Sequence, residues 1–186
     1  VFGLPCLMLL IHLVTHWGFN DQPNGWMTRP MVVFGLPCLM LLIHLVAVGA
    51  TYHASAKGRP APRMERVVAW IFPVITIVAY TITIRYGLGK TVDIRLWTVI
   101  MVAAILIFIG NYLPTVPLES VKKSGFHPGK VDGQSDLRSI GYCLVLFGVL
   151  TLLSLFFPPM VTVIVLVFFI VSLLILMLMS CRKSVR

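Results

Sequence analysis

The sequence predicts an all-α, polytopic integral membrane protein of six transmembrane helices, with both termini in the cytoplasm and one membrane domain over residues 1–186. Three observations carry that reading. First, 59% of the residues are hydrophobic and only 11% charged, with a mean hydropathy of +0.97. So few charges cannot cover the surface of a water-soluble globule. Second, the apolar residues fall in runs approaching the ~20 residues that cross a ~30 Å hydrocarbon core, not at the one-face spacing of an amphipathic helix. Third, those runs contain Gly and Pro and are long for barrel strands. In hydrocarbon every backbone N–H and C=O must be paired within the structure, and helices of this length do so.

The first run, about 1–15, would reach only ~22 Å at 1.5 Å per residue, short of the ~30 Å core. Its sequence VFGLPCLMLLIHLV, Val1–Val14, recurs without a mismatch at Val33–Val46. Lipid-facing positions tolerate many apolar exchanges, so an old repeat would have drifted. We expect the true N-terminus to be missing or to have been overwritten by a copy of the second span at residues 1–14; a genuine recent duplication is the alternative. His12 and His16 stand four residues apart, which on a helix would put both imidazoles on one face. A third ligand and the Glu of a zinc-protease pattern are lacking, so no metal is assigned.

The connection THWGFNDQPNGWMTRP, residues 15–30, is rich in turn formers. Asn20-Asp21, Pro23 and Asn24-Gly25 favour tight corners, because Asn and Gly accept positive φ and Pro fixes the φ of a corner. Trp17, Phe19 and Trp26 would anchor that loop at the membrane surface. Further spans are expected near 31–53, 67–84, 96–113, 139–157 and 160–180, with Pro73 a candidate kink in the third. Trp70 and Trp97 fall near span boundaries, as amphipathic rings do. The longest connection, 114–138, carries Pro114, Pro117, Pro128 and mixed charge, and reads as a loop too short for a domain.

Six spans put both ends on one side, and Lys and Arg choose that side. One compartment receives Arg29, Arg85, Lys90 and Arg95, and the other receives the remaining 11 of the 15 basic residues. The positive-inside rule assigns the 11 to the cytoplasm. The net charge of +9 is thus used in orienting helices, and no direct contact with nucleic acid is expected. The partner that composition implies is the lipid bilayer.

Cys6, Cys38 and Cys143 lie inside apolar runs and Cys181 follows the last one, without a CxxC pair. They read as packing residues rather than zinc ligands or disulfides. The six acidic residues, Asp21, Glu65, Asp93, Glu119, Asp132 and Asp136, all sit in loops or at span ends. With no nucleophile elbow, HExxH or phosphate-cradling glycine loop, no catalytic residue, enzyme activity or cofactor is expected.

His16-Trp17-Gly18-Phe19-Asn20, then Gln22-Pro23-Asn24-Gly25-Trp26, then Arg29-Pro30 resembles the outer-loop signature of SdpI-like membrane proteins, HFN-x-x-G-x-x-[DN]-G-W-x-x-[KR]-P, which lies between that family's first two helices. Ile109-Gly110-Asn111-Tyr112-Leu113-Pro114 is similar to the IGNYLP element before the family's main cytoplasmic loop. The resemblance extends over about residues 15–157 and is specific in these two motifs. It implies a six-helix protein of the bacterial cell membrane that confers immunity to a secreted peptide toxin and holds a repressor at the membrane. Carried over residue by residue, it makes His16, Trp17, Asn20, Asn24, Gly25, Trp26 and Arg29 the outer ligand-recognition set. Gly110, Asn111, Tyr112 and Pro114 become the cytoplasmic motif. The chain departs from the family after Pro114, where TVPLESVKKSGFHPGKVDG replaces the family's Gly-x-Arg-Thr-Pro-Trp element, the part bearing on the repressor.

Two other classes compete with an immunity or sensor protein. A small transporter or channel would need an ionisable group inside the membrane, for which His44 is the candidate, although a helix–helix hydrogen-bonding role is the plainer reading. An accessory subunit of a larger membrane complex would copurify with a partner.

Overall fold

The structure, a computed structural model, describes residues 12–18, 22–58, 60–119 and 133–183. Its architecture is helical, with one small hairpin. Strand β1 (His12–Trp17) pairs antiparallel with β2 (Pro23–Thr28). Five helices follow: α1 (Leu36–Lys57), α2 (Pro62–Gly87), α3 (Ile94–Tyr112), α4 (Gln134–Leu153) and α5 (Pro159–Lys183). A π-helical turn, Met31–Gly35, leads into α1. Short 3-10 turns, Leu113–Thr115 and Ser154–Phe156, extend α3 and α4.

All five helices are long and apolar enough to cross a membrane. The expected second to sixth spans each fall on one of them. The first expected span does not: residues 1–11 lie outside the described residues, and His12–Thr15, expected as its helical end, belong to β1. The expected loop 15–30 likewise contains the whole of β2. Across the tip, Gly18 N–H donates to the Gln22 carbonyl at 2.8 Å. The chain turns back between Gly18 and Gln22, so Pro23, Asn24 and Gly25, expected as corner residues, belong to β2 and give β1 its partner; the β-branched Val14 and Thr15 suit a pleated strand.

Helix limits follow local chemistry more than hydropathy. Asp93 caps α3 by accepting from the Leu96 N–H at 2.8 Å. Pro62 opens α2, where its missing N–H would have no partner in any case. Glu65, in the first turn, accepts from the Ala61 N–H at 3.1 Å and from the Ser55 hydroxyl, tying α2 to the end of α1. At the other end of the same pair, the Tyr80 hydroxyl donates to the Val32 carbonyl in the π turn. Such a turn strains the regular hydrogen-bond ladder, so a side-chain donor is useful there.

The core is the antiparallel seam between α3 and α4. Ala103 and Thr151 are fully buried there, and Val99, Leu137 and Leu144 nearly so. In the most apolar window of α4 28% of residues are buried and in that of α3 17%, against 6% in α1, α2 and α5, which makes α4 the central helix. Close approach rests on small residues: a Cβ on Gly148 would lie 2.7 Å from Ile107 Cγ1 and 3.1 Å from the Ala103 carbonyl oxygen.

Both ends of the seam are tied by polar contacts. Arg95, in the first turn of α3, donates through Nη2 to the carbonyls of Ser154 at 2.8 Å and Phe157 at 2.6 Å at the end of α4, where the Ser154 carbonyl also accepts from the Phe157 N–H at 3.1 Å. It also reaches the Thr162 hydroxyl at 3.3 Å, which lies 2.8 Å from that of Ser154. At the opposite end Ser180 of α5 donates to Asp136 of α4 at 2.7 Å. Gln134 donates to the carbonyls of Pro114 and Val116 at 2.7 and 3.2 Å.

Candidate functional site

The hairpin sits at the end of the bundle where α1 begins and α2 ends. Trp17 packs edge-on against Tyr86, with centroids 5.9 Å apart and planes at 81°, a favoured aromatic geometry. Its indole N–H is buried without a partner among the described residues, so this docking is apolar in origin. Leu13 approaches Gly87, where a Cβ would meet its Cδ2 at 3.6 Å, and Val14 is buried.

Val14 and Trp17 could not both face the helices on a regular strand, because side chains alternate with period two. The register resolves this. Val14 stands opposite Trp26 and His16 opposite Gly25, so Thr15 is an extra residue on β1. His16 is then turned outward and Trp17 inward. Trp17 stands opposite Pro23, which makes Asn24 an extra residue on β2.

His16, Asn24 and Trp26 are all exposed. His16 Nδ1 donates to Asn24 Oδ1 at 2.5 Å. A carbonyl oxygen only accepts, so this bond places hydrogen on Nδ1 and leaves Nε2 directed elsewhere. Gly25 is fitted to the pair: a Cβ there would stand 2.9 Å from His16 Cβ, closer than side chains approach. Trp26, next in sequence to Gly25 and opposite Val14 in the register, is 53% exposed and offers a large apolar surface. These groups can stack on an aromatic or aliphatic side chain and hydrogen-bond a peptide backbone. The structure thus brings together His16, Asn24 and Gly25 of the expected recognition set and leaves Trp26 exposed, while Trp17 serves as the hairpin's anchor. Arg29 is exposed at residues 29–30, the helical start before Met31. Asn20 lies outside the described residues. His12, in β1 opposite Thr28, does not share a helix face with His16.

The second expected motif divides differently. Gly110 is part of the α3–α4 seam, and Pro114 lies against Gly141, whose added Cβ would come 2.8 Å from Pro114 Cγ. These two are packing residues. Asn111 is exposed and Tyr112 half-buried; Tyr112 lines one end of a groove between α2 and α3.

That groove, about 690 Å³ in volume, went unread in the sequence. Arg63 and Arg66 flank the same end as Tyr112. Their three-residue spacing on one helix was the available signal. His44, the expected candidate for transport, has Nδ1 buried without a partner among the described residues and packs edge-on against Phe72 at 6.2 Å. No acidic side chain adjoins it in these contacts.

Comparison with family models, with curated proteins and with solved structures gives no match to this chain.

Proposed function

We propose that the chain is an immunity or sensor protein of the SdpI-like kind, resident in a bacterial cell membrane, whose hairpin recognises a secreted peptide toxin at the outer face. The observation that carries this reading is the exposed His16–Asn24 pair, with the exposed Trp26 close to it in sequence, on a hairpin docked through Val14 and Trp17. A paired imidazole and amide, together with an exposed indole, suit a peptide better than an ion or a polar solute.

Sidedness comes from charge. The bundle end bearing the hairpin carries Arg29, Arg85, Lys90 and Arg95 of the chain's 15 basic residues. The positive-inside rule then directs the hairpin away from the cytoplasm, the side a secreted peptide reaches. With the hairpin outside, the five helices carry the end of α5 to the cytoplasmic side. The connection between α3 and α4 is cytoplasmic too, and a repressor held there would receive the signal. No chemistry on a substrate is involved.

Binding tests the reading. The purified full chain in lipid nanodiscs is titrated with the peptide encoded beside its gene. Saturable binding that weakens at least tenfold in His16→Ala/Trp26→Ala supports it. Equal binding by native protein and a correctly folded variant removes recognition from the hairpin.

A further inference from the structure

The groove between α2 and α3 has a charge pattern that the proposed immunity function does not use. Among its lining residues only Arg63 and Arg66 are charged, and both stand at one end, with Tyr112 beside them. The rest of the lining is apolar, including Trp70, Ile75, Ala104 and Phe108. From Arg63 to Val78 the α2 wall runs ~22 Å at 1.5 Å per residue, more than the ~15 Å depth of one leaflet's hydrocarbon. A volume of about 690 Å³ lies within the range of sites that hold a small organic ligand, roughly 300–1,000 Å³.

We propose that this groove binds one anionic phospholipid, with its phosphate headgroup on Arg63 and Arg66 and an acyl chain along Trp70, Ala104 and Phe108. Hydrocarbon fills any groove open to the membrane interior; the two arginines add a choice of headgroup. Arg63 and Arg66 lie three residues apart at the start of α2, so both guanidinium groups serve one face and one membrane surface. Both are exposed, and no acidic partner of either occurs among the described residues. Glu65 between them is engaged by Ser55 and the Ala61 N–H. Guanidinium groups match phosphate oxygens in bidentate geometry, and basic pockets between membrane helices select anionic headgroups. Tyr112 supplies a hydroxyl at the same level. The site depends on the bundle's geometry alone and is independent of any toxin.

The test is native mass spectrometry of the full chain released from detergent after equilibration with equal phosphatidylglycerol and phosphatidylcholine of identical chains. The expected result is one retained lipid per monomer, with phosphatidylglycerol favoured about tenfold. Arg63→Gln/Arg66→Gln abolishes the preference, whereas Lys57→Gln, a cation at the same bundle end but outside the groove lining, keeps it. Ala104→Phe, which fills the apolar part without touching charge, lowers retention of both lipids. Helicity and elution volume identify variants that retain the native fold. Equal retention of both lipids by the native chain overturns the proposal, as does an undiminished preference in a folded double-arginine variant. A lipid-free dimer also overturns it by making a second copy the occupant.

Discussion

Gly110 and Gly141 meet backbone to backbone: a Cβ on either would lie 2.7 Å from the other's carbonyl oxygen. The contact is reciprocal because α3 and α4 run antiparallel, and it fixes how closely the two central helices approach. Alanine is the better intrinsic helix former by about 1 kcal/mol, but here its methyl would strike backbone, which cannot rotate aside. Gly110→Ala and Gly141→Ala are each expected to destabilise the protein by about 1–3 kcal/mol. Thermal unfolding in detergent, followed by circular dichroism, measures this.

Gly49 in α1 supplies the contrast, since a Cβ there would meet nothing within 4 Å. Without a clash only the helix preference remains. Gly49→Ala is expected to raise stability by a few tenths to about 1 kcal/mol in the same assay. Opposite signs at Gly49 and Gly110 would separate packing from propensity. Equal effects would contradict the seam.

Arg95 joins the first turn of α3 to carbonyls at the α4–α5 turn. Arg95→Leu removes these charge-assisted bonds; the Ser154 carbonyl keeps the Phe157 N–H, and the Phe157 carbonyl is left wanting a donor. The expected loss is about 2 kcal/mol, together with faster proteolysis near Pro158. Arg95→Lys, which can still donate, should lie between the two. Proteolysis rates unchanged in Arg95→Leu would show that the turn holds without the clamp.

The five described spans were legible because a continuous apolar run of membrane-crossing length is rare outside a spanning helix. Their ends were not. Arg63, Glu65 and Arg66 looked like loop by hydropathy, yet they continue α2 behind Pro62. Amphipathic helix ends project from the hydrocarbon and carry charge without ending the helix. A turn-rich stretch was visible at residues 20–25, but Pro23 and Asn24-Gly25, expected at its corners, lie in β2, and the strands were not read. The reason lies in the repeat itself: His12-Leu13-Val14 is strand, while the identical His44-Leu45-Val46 is helix. The first is followed by Thr15-His16-Trp17 and meets a returning partner; the second runs into Ala47, Val48 and Gly49. Local preference is weak for such apolar triplets, and the neighbouring chain decides. Of the proposed site, His16, Asn24 and Trp26 were singled out by the loop motif, and all three are exposed. The bulges that aim it come from pairing register, which no single residue announces.

Gly25→Ala tests that aim without removing any recognising side chain. Its methyl would press on His16 Cβ from 2.9 Å, so strand or imidazole must shift and the His16–Asn24 bond opens. Peptide binding is expected to fall by about tenfold, with little change in thermal stability because the hairpin stays anchored by Trp17 on Tyr86. A histidine nitrogen chemical shift that responds to Gly25→Ala would report the broken pair directly.

The most direct measurement is survival of a sensitive bacterium expressing the native chain or its His16→Ala/Trp26→Ala variant when challenged with the peptide encoded beside the gene. Membrane insertion of both is checked by fractionation. Protection by the native chain, lost in an equally inserted variant, is the predicted result. Equal protection by the two would contradict recognition on the hairpin face, and absence of protection by a well-inserted native chain would contradict immunity itself.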